Sequence, residues 1–424
     1  MKIEITHGRL IDPAQGIDRV APLYIAAGKI VSVGTAPGGW TANRTLDAKG
    51  LVVCPGLVDV SARLREPGFE YKATLESEME AAGAGGVSSL ACPPDTDPPL
   101  DEPGLVEMLK HRARSLNRAN VYPIGALTQQ LAGTQITEMN ELAEAGCVAF
   151  SQAEQAIVDT QVLFRAMQYA ATFGHRVWLR PQDPHLSRGG FAHDGEIATR
   201  LGLAAIPSSA ETIAIATILS LARESGARVH LCRLSTAEGV AMVRAAKASG
   251  LSVTCDVAAH HLHLCDVDIG WFDAHANLVP PLRGTRDRAA LRAGVADGTI
   301  DVICSDHAPV DDDAKQLPFA EAEPGATGLE LLLPLTLKWA QEDNVELPTA
   351  LSRITAAAAA VLGVAAGNLA VGAAADVCVF DPAAYWRVDR KALRSQGKNT
   401  PFLGLEVPGR VRWTLVGGQV VYGD

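Results

Sequence analysis

The sequence predicts an α/β protein: a (β/α)8 barrel of the TIM type with a small β-sandwich domain built from the N- and C-terminal segments. Two observations carry this reading. The middle of the chain alternates short apolar runs with Ala- and Glu-rich stretches of helical spacing, and eight such runs are present. The two ends instead read as short strands separated by turns. The expected division is a composite sandwich from residues 1–54 and 367–424, and a barrel from 55–366.

Taken in order, segments 2–6, 22–27 and 29–33 are strand-like, with Gly28-Lys29 as a turn. The barrel strand candidates are 51–60, 86–92, 120–126, 146–151, 176–180, 227–233, 252–257 and 300–305. Segments 209–225 and 236–250 are clear helices between them. Near the end, 375–380 and 410–416 are strands, and Gly417-Gly418 is a two-residue hairpin turn into 419–422. Two β segments from opposite ends can share one domain when the middle folds as a unit.

Composition bounds the function. The 424 residues are 48% hydrophobic, enough for a large core, and the net charge of −11 argues against nucleic acid or an anionic membrane as the main partner. The eight cysteines contain no CxxC pair, so neither a disulfide framework nor a zinc knuckle is indicated. The N-terminus has no signal-like apolar core and no long apolar span follows, so the expected location is cytoplasmic.

In a barrel of this type, functional side chains stand at the carboxyl ends of the strands. The first such end is Pro55-Gly-Leu-Val-Asp-Val-Ser-Ala-Arg-Leu-Arg-Glu-Pro-Gly68, where alternation puts Asp59, Ser61 and Arg63 on one face. The run resembles the first barrel strand of the cyclic amidohydrolases, and most closely the dihydroorotases, whose signature is His-x-His followed by Leu-Arg-Glu-Pro-Gly. Leu64-Arg-Glu-Pro-Gly68 is kept, while Ser61 and Arg63 stand at the histidine positions.

The resemblance implies a binuclear metal site, in which imidazoles and carboxylates hold two cations around a bridging hydroxide. Its ligand positions map here to Ser61 and Arg63, to Gln152 and Ala153 after strand four, to Arg180 after strand five, to Arg233 after strand six and to Asp306 after strand eight. Only Asp306 matches the family pattern. Arginine stays protonated and has no lone pair to donate, so the expectation is no metal, no cofactor and no metal-dependent catalysis. The substrate positions implied by the resemblance are Arg65, which matches, and Asp95, Val279 and Val310, which replace Asn, Asn and His. An aspartate at 95 would repel an anionic substrate.

Without metals, Asp306 needs a compensating charge, and one or more of Arg63, Arg180 and Arg233 is expected to pair with it. The same cluster could instead hold a phosphate or a carboxylate. His260 and His261 are read as packed, His307 as a support for the loop after Asp306, and the acid-rich segment 310–328 as a loop over the site.

Similarity extends over nearly the whole chain, including Asn399-Thr-Pro-Phe402 and Gly409-Arg-Val411. It points to the dihydroorotase-like chains of some bacteria that lack the metal ligands and associate with aspartate carbamoyltransferase catalytic chains as six of each. The implied role is structural, in de novo pyrimidine synthesis, with self-association as a dimer. The alternatives are a metal-poor cyclic amidohydrolase relying on Asp306, and a regulatory subunit that binds an anion or a pyrimidine intermediate.

Overall fold

The computed structural model describes residues 1–423. Eight parallel strands form the barrel: Leu57–Asp59, Val87–Cys92, Asn120–Ala126, Ala149–Ser151, Arg176–Leu179, Arg228–Leu231, Val253–Ala258 and Val302–Cys304. They are called barrel strands one to eight below. Their order in the sheet follows their order in the chain, as successive β/α units require. A bridge between Ala62 and His307 brings strand eight back to strand one. Inside the barrel, Val58, Ile124, Ala149, Trp178, Ala258 and Val302 pack in one cluster with Ala358, Val361 and Leu362 of helix Ala356–Leu362.

The chain ends form two further sheets, of four and six strands. The four-stranded sheet is wholly N-terminal, while the six-stranded sheet joins Val377–Arg387, Glu406–Val416 and Gln419–Tyr422 to Val52–Pro55, Arg9–Asp12 and Ile17–Val20. Ile5, Leu10, Ile25, Val53 and Val379 share the core of these sheets.

Two local expectations are corrected. The apolar run 51–60 is not one strand. Val52–Pro55 pairs antiparallel with Val377–Phe380 in the six-stranded sheet, and only Leu57–Asp59 enters the barrel. Both halves are buried, so an unbroken apolar run hides the change of sheet at Gly56. The first hairpin turns at Ala27-Gly28 rather than Gly28-Lys29, because both residues take positive φ (50° and 77°) between strands Leu23–Ala26 and Lys29–Val33.

Candidate functional site: an arginine–carboxylate network at the barrel mouth

Local structure sets each side chain at the mouth. Arg63 lies just beyond strand one, where its backbone N–H donates to the His307 carbonyl (2.9 Å) and extends the pairing with strand eight. Arg233 follows strand six, and its N–H donates to Asp256 Oδ1 (2.8 Å). Immediately after it, Glu211 accepts from the Ser235 and Thr236 amides and hydroxyls, and Thr236 caps helix Ala237–Ala248. The network holds the strand-six turn rigidly beneath Arg233.

Arg65, Ala153, Arg233 and Asp306 all take positive φ, between 46° and 62°. For residues with a Cβ this costs on the order of 1–2 kcal/mol each. Such conformations persist only where the surroundings dictate them, and here they cluster at one end of the barrel.

The side chains meet in a single ionic network. Arg233 Nη1 donates to Asp306 Oδ1 at 2.9 Å, and Arg63 Nη1 reaches the same oxygen at 3.4 Å. Glu154 Oε1 accepts from Arg63 Nη2 and Arg233 Nη2, each at 2.5 Å. Glu154 Oε2 lies 2.5 Å from Arg180 Nε, and Arg180 Nη2 donates to the Glu154 carbonyl at 3.0 Å. Arg63 Nε donates to Asp95 Oδ2 at 2.7 Å. Three guanidiniums therefore face three carboxylates, and the network is neutral.

Its electrostatics follow from burial and neighbours. Burial pushes Glu154 upward, but the guanidiniums of Arg233, Arg180 and Arg63 overcome it and hold this carboxyl well below the usual range. Asp306 is deeper, and burial raises it against the pull of Arg233 and Arg63. Burial opposes the charge on Arg63, yet Asp95 and Glu154 keep it firmly protonated.

The network lines a cleft of about 330 Å³ together with Arg65, Gln182, Val279 and Ala308. Glu323, Pro324 and Gly325 of the 310–328 loop form one wall, and Lys72 holds Glu323 at 2.5 Å. Arg65 Nε donates to the Pro309 carbonyl (2.8 Å), and its two Nη atoms carry no hydrogen bond among the described residues.

Of the positions singled out in the sequence, Arg63, Arg65, Asp95, Arg180, Val279, Arg233 and Asp306 line this cleft. Ser61, Gln152, Ala153 and Val310 do not. Gln152 is turned into the protein, accepting from Thr128 Oγ1 (2.9 Å) and donating to the Leu131 carbonyl (2.7 Å). Ala153 packs on Ala126 and Leu131. Val310 is buried, with its N–H on Asn399. Arg233 and Arg63 pair with Asp306, whereas Arg180 pairs with Glu154.

Glu154 is the residue that sequence reasoning missed. The positions considered after strand four, Gln152 and Ala153, offer no carboxylate, but the next residue does. The positive φ of Ala153 (50°) breaks the extended alternation and swings the next side chain into the mouth. One signal was available: Glu154 is the only acid between Gly146 and Val158.

The binuclear metal centre that the resemblance implies needs lone-pair donors at this mouth. The groups at the mouth do not fit one, because guanidinium nitrogens have no lone pair to donate. Deeper in the barrel, donor atoms of His230, Cys232 and Asp256 lie within 4.8 Å of one another. Two of the three are already engaged: His230 Nε2 meets Asp256 Oδ2 and Nδ1 meets Thr254 Oγ1, both at 2.8 Å. Burial pushes the Cys232 thiol well above its usual range, so it is not a ready thiolate ligand.

A dihydro-orotase-like family model matches residues 50–239, and an amidohydrolase family model matches 187–421. The chain is 47% identical over 422 residues to a dihydroorotase-like protein of Pseudomonas aeruginosa, with 100% of each chain covered. It is 45% identical over 423 residues to a dihydroorotase-like protein of Pseudomonas putida, again covering 100% of each. This chain belongs to the dihydroorotase-like proteins of the amidohydrolase superfamily. A dihydroorotase of Geobacter sp. (strain M21) is 41% identical to this dihydroorotase-like chain over 422 residues, 100% of this chain and 99% of that one. Among solved structures, the L-hydantoinase (dihydropyrimidinase) from Arthrobacter aurescens superposes with a TM-score of 0.89 at 25% identity, covering 99% of this chain and 96% of that one. The barrel with appended β sheets is thus the hydantoinase-like amidohydrolase fold.

Proposed function

We propose that this dihydroorotase-like chain is a non-catalytic scaffold, which supports the assembly and activity of aspartate carbamoyltransferase catalytic chains in de novo pyrimidine synthesis. The proposed assembly has six of each chain, with this chain also self-associating as a dimer. The observation that carries the reading is the neutral network of Arg63, Arg180 and Arg233 with Asp95, Glu154 and Asp306. It fills the place where a metal-dependent amidohydrolase needs a nucleophilic hydroxide and its two cations. A buried arginine resists both deprotonation and metal coordination, so the network cannot relax into a metal site.

The test uses chain purified without added zinc. It is expected to carry no stoichiometric metal, to leave dihydroorotate unchanged, and to co-purify with the transferase from its own cells. Turnover of dihydroorotate above a metal-free blank overturns the proposal.

A second reading, a sensor for an anionic pyrimidine intermediate or carbamoyl phosphate, is favoured by one observation. Arg65 faces the cleft with both Nη atoms free of hydrogen-bond partners among the described residues. Calorimetry with those ligands separates the two, because the sensor shows a saturable heat that Arg65→Met removes and the scaffold shows none.

A further inference from the structure

After strand seven the chain runs along the rim of the barrel mouth and forms a short projection, Asp266-Val-Asp-Ile-Gly-Trp-Phe-Asp273. Trp271 at its tip is 89% exposed, and Val267 (51%) and Phe272 (38%) are exposed beside it. Single exposed apolar side chains are ordinary, but three in one turn are not. The turn is built to hold them outward. Gly270 takes φ 56° and ψ −122°, a region closed to other residues, and Phe272 takes φ 62°.

The base of the projection is fixed. Ile269 is buried with Leu278 and Phe319, Asp268 Oδ2 accepts from the Cys265 amide (2.8 Å), and the Asp273 amide donates to the Ile269 carbonyl (2.9 Å). Lys315 of the neighbouring loop reaches across to the Ala274 carbonyl at 2.9 Å. The Trp271 and Phe272 rings meet edge to face, with centroids 6.0 Å apart. A rigid aromatic held in solvent loses little entropy on binding, which is why tryptophan is enriched among the residues that dominate interfaces.

The surroundings state what kind of surface fits. The projection exposes Asp268 and Asp273 and carries no cation, while Asp266 is buried at its base. On the adjacent loop Asp311 and Asp313 make no ion pair among the described residues, Lys315 is buried and Arg390 is bonded to Asp312, so one exposed cation, Arg200 on the helix packed against Asp266–Ile269, stands beside these acids. A second copy of this chain docking here about a two-fold axis would set these carboxylates against their own counterparts. An anionic membrane would be repelled for the same reason.

We infer that the Trp271–Phe272 projection is the docking element for a partner protein whose surface offers an apolar socket rimmed by lysine or arginine. Resting on the scaffold reading above, this assigns the contact with the transferase catalytic chain to the barrel-mouth rim.

The experiment titrates purified transferase catalytic chain with the full-length dihydroorotase-like chain and follows complex formation by sedimentation. Trp271→Ala and Trp271→Gln are compared with wild type and with Val371→Ala, a change at another exposed apolar position (67%) outside the projection. Both Trp271 variants should keep the wild-type thermal midpoint and weaken the complex at least about tenfold. Val371→Ala should bind as wild type does, and added salt should weaken the wild-type complex. Wild-type affinity in both Trp271 variants overturns this assignment and leaves the scaffold reading standing. No complex even with the wild-type chain overturns both. A change in the variants' own sedimentation without the transferase makes the projection a self-association contact, which also overturns the assignment.

Discussion

Glu154 links three guanidiniums through its two oxygens, so its removal tests the network most directly. Glu154→Gln leaves Arg63, Arg180 and Arg233 facing only Asp95 and Asp306. Removing one partner of a buried ionic group costs about 3–5 kcal/mol, and the 29% exposure of the Glu154 side chain places the loss near the lower bound, about 3 kcal/mol in urea denaturation. Adding Arg180→Met restores the charge balance and should recover part of that loss; a double variant no more stable than the single one refutes the account. A second residue-scale prediction concerns His260 and His261. Burial pushes both down to about 3, helped for His260 by Arg233 and for His261 by His260 itself. The unfolded chain takes up a proton on each below the ordinary value of 6.5, while the folded chain stays neutral until about 3. The stability they contribute is therefore complete above 6.5 and is lost as pH falls toward 3, at about 1.4 kcal/mol per pH unit for each histidine. Between pH 6.5 and 5 the pair should account for about 3 kcal/mol, and that slope should vanish in the His260→Gln, His261→Gln double variant. The three arginines and Asp306 could be picked out because the family resemblance places its ligand positions at these strand ends. Glu154 was passed over, although it is the only acid near that strand end, because reading alternation along a strand assumes extended backbone through Ala153, and φ there is 50°.

At the scale of elements, the 310–328 loop was expected over the site, and the contacts explain how it is held there. Asn277 Nδ2 donates to the Phe319 and Ala322 carbonyls, both at 2.9 Å, and its own carbonyl accepts from the Gly325 amide at 3.0 Å. Farther along, His307 receives the Gly328 amide on Nδ1 and meets buried Glu78 with Nε2 at 2.6 Å, supporting the segment after strand eight. Asn277→Ala removes two side-chain bonds, worth about 0.5–1.5 kcal/mol each. The expected result is faster proteolysis within residues 313–323 at nearly unchanged global stability, since local openings are set by local contacts. Unaltered cleavage would mean that Asn277 does not hold the loop. The eight barrel strands were legible because each is an apolar run bounded by turn formers. The division of run 51–60 was not, since a strand packed between the β sheets and the barrel is as apolar as one inside it. The acidic composition of 311–313 likewise says nothing of Lys315, which turns inward and donates to Ala274 and Asn277 from the opposite side of the same short turn.

For the molecule as a whole, the change of sheet at Gly56 couples the terminal β sheets to the barrel. Strand Val52–Pro55 runs directly into Leu57–Asp59, and the Gly56 amide donates to the Asp376 carbonyl at 2.9 Å. Asn120 of barrel strand three donates to Asp376 Oδ2 (2.9 Å), and Thr414 of the six-stranded sheet donates to the Gly83 carbonyl (2.7 Å). With so many bonds crossing between them, the two parts should unfold in one transition rather than two. Gly56→Ala probes this junction. A Cβ there would stand 2.2 Å from Ser88 Oγ and 3.2 Å from the Asp376 backbone carbon, so one substitution presses on a barrel strand and on the residue that leads into strand Val377–Arg387. The expected loss is about 1–3 kcal/mol, the usual cost of overpacking. Hydrogen exchange followed by mass spectrometry reads it separately in Val87–Cys92 of the barrel and Val377–Arg387 of the sheet. Equal losses in both are expected of a single cooperative unit. A loss confined to the sheet would mean that the terminal strands open independently, and that the barrel mouth owes nothing of its rigidity to the chain ends.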